Sequence, residues 1–208
     1  MINTLKFRAL ELFLLFVIVP ISLVLDWPME GKLTLGAFGF LYVILISVFA
    51  EHPKFVKPNR DKWLSFLKST LVKFIIIALV LAVFVYLTTP EKLFYVIEKP
   101  KIWLFFLGVY TLFSVIPQEF LYRTFFFSRY QVFFKNKNLL ILINAGLFSL
   151  GHLFFGNTLV MIITFIGGLL FAFTFYKTNS TVLVMVEHMI YGCWLYTVGM
   201  GEMLGFPT

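Results

Sequence analysis

Apolar residues run in blocks of about 20, the length that crosses a bilayer as a helix, and short polar segments separate the blocks. The first covers about Phe7 to Leu25, with Pro20 expected to kink it, and ends at Asp26-Trp27-Pro28-Met29-Glu30-Gly31-Lys32. The second covers about Leu33 to Ala50. A stretch from Glu51 to Lys62 carries Lys54, Lys57, Arg60 and Lys62 and leads to the third, Phe66 to Leu87. The fourth begins near Ile102 and reads as one long helix, bent at Pro117, reaching Phe134. The turn Lys135-Asn136-Lys137-Asn138 joins it to the fifth block, Leu139 to Phe155. A Gly156-Asn157 break, the sixth block Thr158 to Tyr176, a turn at Lys177-Thr178-Asn179-Ser180 and the seventh block Thr181 to Met200 complete the series. This pattern predicts an all-α polytopic membrane bundle of about seven transmembrane helices forming a single membrane domain, 1–208. An eighth span is expected only if Leu93 to Ile97 dips into the bilayer.

Composition sharpens this picture. The chain is 61% hydrophobic and 13% charged, where a soluble domain carries about a quarter charged residues. The net charge of +7 sits mostly at span ends, where lysine and arginine meet lipid headgroups, so it speaks for a membrane surface and against nucleic acid. Ten lysines and arginines lie in connections on one side of the seven-span pattern and four on the other. The richer side should be cytoplasmic, placing the N-terminus inside and the C-terminus outside. No small-residue cleavage site follows the first block, which reads as a retained span. Glu11, near its charged end, should snorkel to the interface, and His52 should be solvated. A single cysteine, Cys193, excludes an internal disulfide and a cysteine-rich metal site and reads as apolar filler.

Chemistry concentrates in Pro117-Gln118-Glu119-Phe120-Leu121-Tyr122-Arg123, ionisable and amide groups inside an apolar block. Charges at membrane depth are costly and usually functional. On a helix Glu119 and Arg123 share a face, so the arginine can keep the carboxylate ionised and aimed. Residues equidistant from the tight turn at Asn136-Lys137 lie at one height on an antiparallel hairpin. That places His152 opposite Glu119, and Phe148 opposite Arg123. Ala145, Ser149, His152 and Gly156 form a small, polar stripe on the fifth block, and Thr164, Gly168 and Ala172 another on the sixth, both suited to close helix approach. His188 lies in the seventh block, one turn before Gly192. A glutamate beside a histidine can take a proton from water, while a second histidine or the arginine stabilises the oxyanion formed at an amide. Glu119, His152 and His188 also match the ligand types of a catalytic zinc site, although no HExxH is present. Ser149 has His152 nearby but no nucleophile elbow around it.

Together these residues resemble the CPBP family, the CAAX-protease and bacteriocin-processing (Abi) intramembrane proteases. Its members carry EExxxR on one span, FxxxH on the next, and a late histidine followed at i+4 by Asn or Asp. Gln118-Glu119 to Arg123, Phe148 to His152, and His188 occupy the three motifs, over a protease-like core of about 102–200. The resemblance implies a multi-helix membrane endopeptidase that cleaves a membrane-associated peptide with glutamate-activated water and no obligatory cofactor. Glu119, His152 and His188 would be catalytic, Arg123 and Gln118 supporting, and Phe148 an apolar wall. Two positions depart from the pattern: Gln118 replaces the first glutamate, and Gly192 replaces the Asn or Asp. Other readings of the same residues are a pseudoprotease that binds a membrane peptide or confers immunity, and a small-solute transporter. The compact form suits a bacterial cytoplasmic membrane. The sequence does not specify the oligomeric state or the substrate.

Overall fold

A computed structural model describes residues 2–205 and places them in seven principal helices joined by short connections. These are α1 (residues 5–22), α2 (Met29–Glu51), α3 (Arg60–Thr88), α4 (Pro100–Phe133), α5 (Lys137–Leu150), α6 (Thr158–Thr178) and α7 (Thr181–Met200). Six helical stretches, from Met29–Glu51 to Thr181–Met200, are long and apolar enough to cross a membrane, the fifth counted as Lys137–Phe155. The stretch 5–22 carries Lys6, Arg8 and Glu11 and is not among them. The segment Leu93–Ile97 follows one short 3₁₀ turn, Pro90–Lys92, and runs into a second, Tyr95–Glu98. Leu71, Ile76, Leu79 and Leu87 on α3 are all exposed, as side chains facing hydrocarbon are. The protein is an integral membrane helical bundle.

Local chemistry explains where the helices begin and how they bend. Asn59 and Asn136 cap α3 and α5 by accepting backbone N–H bonds from Lys62 (2.9 Å) and Asn138 (2.8 Å). Pro100 opens α4 at the first position, where no N–H is needed. Within helices, proline removes a hydrogen bond and crowds the preceding turn. A widened π turn, Leu14–Ile18, ends two residues before Pro20, and another, Thr111–Val115, two residues before Pro117. A third π stretch, Phe120–Phe125, follows Glu119, so the segment Ile116–Glu119 is bracketed by π turns.

The chain divides into two compact units, and the division falls inside α4. One takes the chain up to Phe55 with Gln118–Lys177; the other takes Val56–Pro117 with the chain from Thr178 onward. In the first unit, Phe16 of α1 meets Tyr122, Phe126 and Tyr130 edge-on at 5.4, 5.4 and 5.8 Å. Glu11 does not snorkel. It is buried, ion-paired with Arg129 at 2.5 Å, and accepts hydrogen bonds from Tyr130 (2.9 Å) and Tyr42. Arg129 also reaches Glu51 at 2.7 Å, and Arg8 reaches the same oxygen at 2.7 Å. Arg129, which hydropathy counting treats as a loop charge, is thus fully buried among carboxylates that compensate it. His52 is exposed, in the left-handed region at φ 47°.

In the second unit, Trp194 packs edge-on against Phe74 (5.5 Å) and Phe94 (5.9 Å), and Trp103 donates to Thr197 (3.1 Å). Gly199, at φ 104°, lets α7 end against the Lys92 carbonyl, which a Cβ there would approach to 2.1 Å. Lys92 pairs with Glu202, and the hydrogen bond to that carboxylate holds its ammonium above the ordinary lysine value.

Candidate functional site

Glu119 sits where the regular turn of α4 gives way to the π stretch, and its side chain is 0% exposed, as is that of Arg123. Their charges meet at 3.3 Å between Glu119 Oε2 and Arg123 Nε. Arg123 is held from two further directions. Its Nη1 donates to Asn144 Oδ1 of α5 at 2.8 Å, and its guanidinium lies 4.9 Å over the Phe148 ring and 5.8 Å from that of Phe171. Asn144 in turn donates to the Tyr122 carbonyl at 2.7 Å, tying α5 back to α4. The guanidinium, fixed by Asn144 and the two rings, in turn fixes the direction of the Glu119 carboxylate.

Phe148 does more than line a wall. Its ring is shared by Arg123, by Tyr122 at 5.1 Å, by Phe171 at 6.0 Å and by His152 at 4.8 Å. Of the two pairs that equal height predicts, Arg123 meets Phe148; near that level a Cβ on Gly151 would lie 2.2 Å from the Tyr122 hydroxyl. His152 falls just past the end of α5, which closes at Leu150, so the fifth helix is shorter than the apolar block suggested. His152 Nδ1 lies 2.8 Å from the Phe148 carbonyl. Since a carbonyl only accepts, Nδ1 carries a proton and donates to it.

The two small-residue stripes, each suited to close approach, meet one another. A Cβ on Gly168 would lie 3.0 Å from the Ala145 Cα. Ser149 donates its hydroxyl to the Met161 carbonyl at 2.8 Å, an arrangement for helix packing more than for nucleophilic attack.

His188 belongs to the second unit, where it is buried on α7 with the Tyr110 ring edge-on at 6.0 Å. The residue before it, Glu187, is fully buried, ion-paired with Lys73 and hydrogen-bonded by the Tyr191 hydroxyl at 2.9 Å. Among the described residues, neither unit gathers three histidine, cysteine, aspartate or glutamate side chains at one point to hold a metal ion. Gln118 is half-buried beside Glu119.

Three residues of these arrangements escape a reading of the sequence. Asn144 had a signal, a lone amide in an apolar block one turn before Phe148. Glu187 had one too, a carboxylate inside a span adjoining a histidine. Tyr110 had none, because aromatic residues are common throughout the chain.

The fold and the site define an integral membrane protein with a supported glutamate–arginine pair and two histidines built into its spans. Within that class, residues 100–194 match the family model described as Type II CAAX prenyl endopeptidase Rce1-like, in agreement with the resemblance carried by the three motifs. Every motif residue, from Gln118 to Gly192, lies inside the match, which covers a little under half of the chain. Comparison with curated proteins and with solved structures gives no match.

Proposed function

We propose that the protein is an intramembrane endopeptidase that hydrolyses a peptide bond of a membrane-associated peptide or protein, with Glu119 as general base. The observation that carries this reading is the buried Glu119–Arg123 pair, braced by Asn144 and stacked on the ring that adjoins His152, inside the stretch that matches the prenyl endopeptidase family. Glu119 takes a proton from water as the water oxygen attacks the carbonyl carbon. The C–N bond then breaks, and the same proton passes to the departing amine. His152 donates to the oxyanion through Nε2 when its ring carries the second proton, since Nδ1–H is engaged by the Phe148 carbonyl. His188 is assigned to the oxyanion by its motif position, and Gln118 to a hydrogen bond with the substrate. Zinc on Glu119, His152 and His188 is the competing mechanism that ligand types allow.

The decisive experiment is cleavage of membrane peptides by purified protein in nanodiscs, read by mass spectrometry, with and without a chelator. Glu119→Gln should abolish cleavage, and the wild type should survive chelation. Unchanged turnover in the variant removes Glu119 as base, and loss on chelation favours metal. The replacement of the family's first glutamate by Gln118 favours one second reading, a peptide-binding pseudoprotease. Its signature would be an inactive wild type and activity gained in Gln118→Glu.

We further propose a cytoplasmic N-terminus, an external C-terminus and a bacterial cytoplasmic membrane. Charge counting is supported by the contact of Arg8, Glu51 and Arg129, which come from three segments that the seven-span pattern puts on one side.

A further inference from the structure

We propose that Tyr110 is the positioning residue of His188, supplying from α4 the polar group that position 192 lacks; this rests on the peptidase reading above. Gly192 sits in regular helix, where glycine is less favourable than alanine and where no special backbone conformation calls for it. Space is the reason for it. A Cβ at 192 would lie 2.0 Å from the Tyr110 hydroxyl oxygen and 2.5 Å from two carbons of its ring, so no other residue fits while Tyr110 stands where it does. Position 192 is one turn beyond His188 on the same face of α7. The hydroxyl therefore stands on the face that carries the histidine, and the Tyr110 ring meets His188 edge-on at an interplanar angle of 79°.

The two sites share this device. Gly151, directly before His152, likewise leaves room that the Tyr122 hydroxyl fills at 2.2 Å from the place of a Cβ. A phenol hydroxyl both donates and accepts, as the amide or acid at i+4 of the family motif would, and it arrives on a rigid ring. Gly192 is thus the room made for a polar group brought from another helix, which removes one of the two objections to an active site in this chain. The role is to hold the imidazole in place; the hydroxyl itself need not touch the reacting atoms.

The protein has three histidines, so ring-labelled histidine resolves few signals, with that of His188 identified by its loss in His188→Gln and the exposed His52 as internal reference. Tyr110→Phe deletes the hydroxyl and keeps the ring. It should shift the His188 signal and lower kcat for membrane-peptide cleavage about tenfold with KM little changed, the worth of one hydrogen bond expressed in the transition state. Gly192→Ala, whose methyl needs the place of the hydroxyl, should do the same. The double variant Y110A/G192N, which exchanges the two groups, should recover kcat about severalfold over Tyr110→Ala alone. A His188 signal unmoved in both Tyr110→Phe and Gly192→Ala overturns the positioning role whether or not the protein cleaves peptide. So does a shifted signal with kcat unchanged in an active enzyme. A signal that shifts in a protein without Glu119-dependent cleavage supports the contact and sinks the peptidase reading instead.

Discussion

Asn144 binds in two senses at once: its oxygen accepts from Arg123 and its nitrogen donates to the Tyr122 carbonyl. Asn144→Leu should strand both partners in a buried place and destabilise the protein by about 1–3 kcal/mol per group, read as an earlier thermal transition in detergent. Asn144→Asp should weaken cleavage by a different route, because a second carboxylate competes with Glu119 for the arginine and cannot donate to Tyr122. Lys73 and Glu187 invite a similar test. Lys73→Met leaves a fully buried carboxylate without its counter-charge and should destabilise by about 3–5 kcal/mol, much of it recovered when Glu187→Gln is added. No recovery in the double variant would show that Lys73 matters for packing alone. Glu119 and Arg123 were legible as a pair because four residues on a helix return to one face. What steadies them, an amide and two rings from other helices, has no fixed offset in sequence.

Among the elements, α5 and α6 show how small residues set the distance between helices. Gly168→Ala would press a methyl against the Ala145 backbone, at 3.0 Å from its Cα, and should cost about 1–3 kcal/mol. Gly146, with nothing within 4 Å of an added Cβ, is the matched control, and Gly146→Ala should melt at or above the wild-type temperature. Equal melting of the two variants would contradict tight α5–α6 packing. Helix starts follow hydropathy to within two residues at Pro100 and at the Asn136 cap, whereas the Asn59 cap starts α3 at Arg60, six residues before its apolar block. The end of α5 departs too: Gly151 and His152 still read as apolar-block residues, yet the helix stops at Leu150 and turns. Apolarity marks what can lie in hydrocarbon. It does not say where irregular backbone is sheltered by protein.

For the molecule as a whole, the proposed orientation makes a direct prediction. In a variant with Cys193 replaced by alanine, a cysteine introduced at Lys57 should react with impermeant maleimide only from the cytoplasmic side. One at Glu98 should react only from outside. Labelling of both from the same face would refute the seven-span arrangement.

The sequence by itself determined that this is a helical membrane protein, where most of its spans run, and which carboxylate, arginine and histidines lie within them. Those conclusions rest on local facts: the length of apolar blocks, helical spacing, and the cost of charge in hydrocarbon. Only the tertiary structure decided that Glu11 and Arg129 form a buried network, that Asn144 and Phe148 brace the Glu119–Arg123 pair, and that Tyr110 fills the room beside His188. Each of these joins residues far apart in the chain. The solvation of a charge inside a membrane depends on which partner the fold delivers, and residue type alone does not record that choice.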